Sequence, residues 1–161
     1  MKMIHCWVIA AAMLATCGPA LGDDSGGARV SFKPGSPETL PPDGKSQTVL
    51  MVQIDPAAKG WGGPLDVQNG RFSVDVEWYG KGEISPTHID NARFPVLITV
   101  TSWKLPEGVS MQRAALVVTV TYSPPGGAPG RGARACTGRV QVTVAIQQAS
   151  RPRRHLTGSP L

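Results

Sequence analysis

The sequence is poor in the residues that build most disulfide frameworks and metal centres. Of its 161 residues only three are Cys and three are His, and aromatic residues make up 6%. Cys6 and Cys17 lie close to the N-terminus, so Cys136 stands alone in the rest of the chain. One cysteine cannot form an intramolecular disulfide, and no cluster of Cys and His is spaced to bind a transition metal. The fold therefore has to depend on hydrophobic packing without a covalent link.

Residue patterns that support catalysis are also missing. Beyond the N-terminal segment the histidines are His88 and His155, and an Asp follows His88 two residues later, a pattern that solvated loop histidines commonly show. The glycine-rich stretches have no Lys-Ser/Thr pair after them, which excludes a phosphate-binding loop. We predict that the protein is not an enzyme and uses no cofactor. Four acidic residues could supply oxygen ligands for calcium, but turn formation explains their positions more simply: Asp55, Asp66, Glu83 and Asp90.

A long apolar run occurs only at the N-terminus. Lys2 precedes "MIHCWVIAAAMLATC", and "GPALG" follows it. A cationic start, a short apolar segment and small residues predict a secretory signal peptide over residues 1–22, and a membrane span would need about 20 apolar residues. The sequence "LATC" at its end also resembles a lipobox, which leaves open acylation of Cys17. Either reading predicts an exported protein that is periplasmic, secreted or held at the cell surface.

The net charge of +5 is concentrated towards the C-terminal end. Arg151, Arg153 and Arg154 lie in a tail, residues 148–161, that we predict to be disordered. No aromatic residue is interleaved with these arginines to stack on bases, so nucleic acid is not an expected partner.

Helical periodicity is absent, and short runs of alternating apolar residues take its place. Six runs, each bounded by Gly, Pro, Asn or Asp, predict strands at 29–33, 46–55, 71–80, 93–103, 114–123 and 139–147. We predict an all-β fold over residues 28–147, an immunoglobulin-like β-sandwich of about seven antiparallel strands. The alternation predicts these inward rows: Phe72, Val74, Val76 and Trp78; Leu116, Val118, Val120 and Tyr122; Val140, Val142, Val144 and Ile146. Residues 123–138, rich in Pro and Gly, predict a long loop that is either functional or merely flexible.

The first part of this domain carries a family resemblance. Leu40, Pro41, the turn Asp43-Gly44-Lys45-Ser46, the long strand and the turn at 55–60 are similar to the start of the bacterial immunoglobulin-like domains of invasins and intimins. "GEISP", residues 82–86, resembles another stretch of that family, whereas "DNARFPV" from Asp90 lacks the glycine that the family has there. The resemblance implies an immunoglobulin-like fold and a cell-envelope setting, and no ligand-binding site.

Three residues in the predicted sandwich are candidates for contact with a partner. Trp61 lies between glycines in a loop, and Trp103 ends a strand, so either ring could stack on a sugar or a protein; alternatively, the Trp61 ring folds back over the end of the sandwich. Cys136 is either a buried hydrophobic residue or an exposed thiol that pairs with another chain. We predict a structural, adhesive or protein-interaction module whose partner is a protein or glycan of the cell envelope. The alternative is a small carbohydrate-binding or enzyme-accessory domain that uses loop aromatics.

Overall fold

The computed structural model describes residues 26–127 and 131–146 of the chain. The predicted signal peptide, Cys17 and the predicted tail at 148–161 lie outside the described residues. The described part contains nine strands: β1 (Ala28–Phe32), β2 (Thr39–Leu40), β3 (Gln47–Ile54), β4 (Arg71–Tyr79), β5 (Ile84–Ser85), β6 (His88–Ile89), β7 (Val96–Thr101), β8 (Met111–Ser123) and β9 (Arg134–Ala145). Within that part, no helix has the length and apolar character needed to cross a membrane.

The strands form two sheets that pack face to face. One has the order β1-β3-β7-β5 and the other the order β2-β9-β8-β4-β6. If the edge strands β2 and β6 of the five-stranded sheet are set aside, the remaining seven follow the strand order of immunoglobulin-like sandwiches: β1-β3-β7-β5 corresponds to strands A-B-E-D, and β9-β8-β4 corresponds to strands G-F-C. The predicted all-β sandwich of about seven antiparallel strands is therefore confirmed. The exception to antiparallel pairing is β2, which runs parallel to β9.

The core consists of the inward rows that the alternation predicts. The buried residues of β4, β8 and β9 meet those of β3 and β7: Val74, Leu116, Val118, Val120, Val142 and Val144 on one sheet, Leu50, Val52, Ile98 and Val100 on the other. β-branched residues dominate because their stiff side chains pack well on a pleated surface. Trp78 is only half-buried.

The proline-rich segment 33–46 crosses from β1 in one sheet to β2 in the other and back to β3, and two buried hydroxyl groups hold this crossover. The Thr48 hydroxyl donates to the carbonyl of Pro37 at 2.6 Å, and the Ser102 hydroxyl donates to the carbonyl of Pro41. The crossover then reverses at Asp43-Gly44, where Gly44 has a φ of +69°. Hydrogen bonds from the Ser46 hydroxyl and from the backbone N–H groups of Ser46 and Lys45 lower the pKa of Asp43 to about 2. The Asp-Gly pair thus makes the tight turn that the sequence predicts.

Several strand ends differ from the prediction: β7 is shorter at both ends than the predicted 93–103, β8 begins at Met111 and not at 114, and the last strand is displaced at both ends. The last strand begins at Arg134, not at 139, because Cys136 continues the inward alternation and pairs with Val120 of β8. The connection from Ser123 to Arg134 is therefore shorter than the predicted loop at 123–138. The same strand ends at Ala145, so Ile146 lies outside it and is 55% exposed. The prediction of Ile146 as a core residue is wrong.

Candidate interaction face

Trp61 is not displayed to solvent. Its side chain is 1% exposed, and its indole N–H donates to the carbonyl of Asp55 at 2.9 Å. The ring lies directly against Gly27, where an added Cβ would be 2.3 Å from the indole nitrogen. The glycines around Trp61 let the chain fold back over the end of the sandwich, because Gly62 ends a short 3₁₀ turn at a φ of +71°. The prediction of Trp61 as a ligand contact is wrong, and the alternative of a folded-back ring is confirmed.

Trp103 is likewise part of the core. It is 5% exposed, and its indole N–H donates to the side-chain oxygen of Gln112 at 2.9 Å. Its ring meets that of Trp78 edge to face, with the ring centroids 5.9 Å apart. The residue is held between two strands and has no free face for stacking, so the prediction of Trp103 as a ligand contact is also wrong.

Cys136 is a buried hydrophobic residue. It is 4% exposed and lies opposite Val120, and burial raises the pKa of its thiol. Disulfide exchange needs a cysteine that is accessible and deprotonated. Cys136 is buried, and its raised pKa disfavours the thiolate. The prediction of an intermolecular thiol at Cys136 is therefore wrong. Lipidation of Cys17 remains a prediction.

The acidic residues in turns serve the turns themselves. Asp55 accepts a hydrogen bond from the backbone N–H of Ala57, and Asp66 accepts from the N–H groups of Gln68 and Asn69. A further hydrogen bond from the Asn69 side chain is the largest cause of the lowered pKa of Asp66. No group of three or more His, Cys, Asp or Glu side chains within residues 26–127 and 131–146 is placed to hold a metal ion.

His88 is engaged by two carboxylates. Its Nδ1 lies 2.6 Å from Asp75 of β4, and its Nε2 lies 3.2 Å from Asp90. The hydrogen bond with Asp75 is the main reason why the pKa of His88 is raised above its usual 6.5, and Asp90 adds to the effect. All three side chains are at least half exposed. Because its Nδ1 faces Asp75 of β4, the imidazole ties the edge strand β6 to β4.

This arrangement predicts a pH dependence of stability. The raised pKa means that the folded state binds the His88 proton more tightly than the unfolded state. The stabilisation is fully present below about pH 6.5 and is lost as the pH rises through the folded-state pKa. We expect the unfolding free energy of the wild type to fall over that interval relative to that of His88→Gln. Urea unfolding at a series of pH values, with an NMR titration of His88, measures both quantities; parallel curves for the two proteins would contradict the assignment.

The outer face of the five-stranded sheet carries an exposed aromatic that the sequence reading missed. Tyr79 is 60% exposed, and its hydroxyl donates to Glu77 on the same strand. That hydrogen bond is the main reason why the pKa of Tyr79 is raised. The sequence itself indicates this exposure, because Tyr79 continues the outward polar row of β4 that contains Asp75 and Glu77.

Charge is arranged by strand across this face. The outward residues of β4 include the acids Asp75 and Glu77, and the outward row of β9 includes Arg139. The middle strand β8 places small or apolar half-buried residues between them, chiefly Ala115, Val117 and Thr119. We refer to the outward rows of β4, β8 and β9 as the GFC face. Its central rows have acidic residues on β4, uncharged residues on β8 and Arg139 on β9, and two further outward basic residues, Arg71 of β4 and Arg113 of β8, lie nearer the strand ends.

Comparison with known proteins adds no relative. A scan of the chain against protein-family models matches none of them, and a search of curated proteins finds no significant match.

Proposed function

We propose that this chain is an exported, non-enzymatic immunoglobulin-like module of a bacterial cell envelope, and that it binds a partner protein through the GFC face. The N-terminal segment supports export. The resemblance of residues 40–46 and 82–86 to invasin and intimin domains supports an envelope setting with a structural, adhesive or protein-interaction role.

The observation that carries the proposal is the chemistry of the GFC face. Protein interfaces are enriched in Tyr and Arg, and a large exposed aromatic is the usual centre of binding energy. Tyr79 and Arg139 both lie on this face, and the flanking β8 residues are small enough to allow close approach. The outer face of the other sheet has Leu97 at 44% exposure but no aromatic residue. A carbohydrate-binding role loses its basis, because Trp61 and Trp103 are buried.

Site-specific photocrosslinking in a bacterial host tests both parts of this proposal. The chain is expressed with its own N-terminal segment, and a photoreactive phenylalanine derivative replaces Tyr79 or, as the control, Leu97 of the opposite sheet. We expect the processed protein in the periplasm, the medium or the membrane fraction, with crosslinked products from position 79 and not from position 97. A precursor that stays in the cytoplasm would contradict export. Equal yields at both positions would contradict the choice of face.

Intact mass distinguishes the two export routes. A chain that begins at Asp23 indicates cleavage of the signal peptide, whereas an acylated chain that begins at Cys17 indicates a lipoprotein.

A further inference from the structure

We propose that the partner bound by the GFC face is a second copy of this chain, related to the first by a two-fold axis that runs parallel to β8. The inference rests on the proposed function, because it names the partner of the same face. It follows from the register of the three strands.

The register places charged and apolar residues in one row across the sheet. Glu77 of β4 pairs with Val117 of β8, and Val117 pairs with Arg139 of β9. The next row contains Tyr79, Ala115 and Gln141. With neighbouring strands about 4.8 Å apart, Glu77 and Arg139 are separated by about 10 Å at the backbone. Among the described residues, neither of them is in a salt bridge, although Glu77 accepts the hydrogen bond from the Tyr79 hydroxyl on its own strand.

A two-fold axis parallel to a strand brings these rows into register with themselves. Such a rotation keeps the height along the strand and exchanges left and right, so β4 of one copy lies over β9 of the other. Glu77 then faces Arg139 of the second copy at the same level, and the symmetry produces this contact twice. An axis perpendicular to the strands would instead place Glu77 over Glu77 and Arg139 over Arg139. Charge complementarity therefore selects the axis parallel to β8.

The middle of the face is also self-complementary. Val117 meets Val117 of the second copy on the axis, which buries two apolar side chains that are only half-covered in one copy. Beside them, Ala115 meets Ala115 and leaves space between the sheets. Tyr79 projects from the flanking strand in the same row, and its ring is large enough to fill that space from either side.

The outward row of β8 also contains one charged residue, which faces its own copy across the axis. Arg113 of β8 faces outward four residues from Val117. Because the axis is parallel to β8, it places Arg113 of one copy opposite Arg113 of the other, about 14 Å along the strand from the Val117 pair. This repulsion limits the affinity, and the two Glu77–Arg139 contacts have to outweigh it.

The size of the face sets the expected strength. Three strands of about nine residues cover on the order of 500 Å² per copy, or about 1,000 Å² in total, which is the lower limit of specific interfaces. We therefore expect a weak, concentration-dependent dimer with a dissociation constant on the order of 10–100 μM.

A charge swap tests the geometry. Sedimentation equilibrium of the processed protein from about 5 to 500 μM covers the expected dissociation range. Glu77→Arg and Arg139→Glu alone are each expected to weaken dimerisation about tenfold or more, and the double variant is expected to return it to within a few-fold of the wild type. Gln53→Arg, on the outer face of the other sheet, is the matched control and should dimerise like the wild type. Circular dichroism confirms that each variant is folded.

The outcomes separate this inference from the proposed function. A monomer over the whole range, a double variant as weak as the single ones, or an equal loss in Gln53→Arg would each overturn the dimer. If position 79 crosslinks to a different protein while the chain stays monomeric, the GFC face is an interaction site and the second copy is not its partner. If position 79 gives no crosslink and the chain is monomeric, both proposals fail.

Discussion

Replacing Trp61 by Ala is expected to lower the free energy of unfolding by about 3–5 kcal/mol, the range typical of a buried aromatic that is cut back to Ala. The ring closes one end of the sandwich, lies against Gly27, and donates a hydrogen bond to Asp55. Its removal opens a cavity that the rigid sheets cannot close and leaves that carbonyl without its donor. Urea unfolding monitored by circular dichroism gives the value.

The matched control is the exposed aromatic of the GFC face. Tyr79→Ala removes a side chain of similar size that is 60% exposed, and its expected loss is less than about 1 kcal/mol. Trp61→Phe should fall between the two, since it keeps part of the packing and loses the N–H donor. If Trp61→Ala were as mild as Tyr79→Ala, the ring would not be part of the core, and a displayed Trp61 would again be a candidate ligand contact.

The second large effect is expected at the two hydroxyls that hold the crossover. Thr48→Val and Ser102→Ala each remove the donor to a proline carbonyl, and both residues are buried. A buried acceptor left without its donor costs about 1–3 kcal/mol, so the double variant should lose about 2–6 kcal/mol if the two losses add. The crossover should also loosen, because Pro37 and Pro41 lose their side-chain hydrogen bonds.

Two measurements check this expectation. Urea unfolding gives the loss of stability, and limited proteolysis should show faster cleavage between residues 34 and 46 in the double variant than in the wild type. Thr99→Val makes the same chemical change on the outer face of β7 and should be nearly neutral. If Thr48→Val lost as little stability as Thr99→Val, the crossover would be held by its prolines and by β2 alone.

The sequence predicts the long strands well because their burial is dictated by their own alternation. In β4 the row from Phe72 to Val76 can bury only one face, and the opposite row is polar. The Asp43-Gly44 turn is predictable for a similar reason, since its hydrogen bonds are made within four residues.

The features that sequence reading misses depend on contacts between distant segments. Trp61 is buried because Gly27, far away along the chain, leaves room for the ring. The two-residue strands β2, β5 and β6 carry no alternation of their own and exist because β9, β7 and β4 offer them an edge. From the sequence, a tryptophan in a loop is therefore expected to be exposed, and a tyrosine in a strand is not singled out. In the structure Trp61 is buried and Tyr79 is exposed.

The central claim is that two copies of this module meet through the GFC face. A series of ¹H–¹⁵N NMR spectra of the processed, labelled protein at rising concentration tests it most directly. The account predicts progressive shifts confined to β4, β8 and β9, with Glu77, Val117 and Arg139 moving most. Shifts that cluster instead on Val49, Met51 and Leu97 of the opposite sheet, or on the loop around Trp61, would contradict it, as would a spectrum that does not change with concentration.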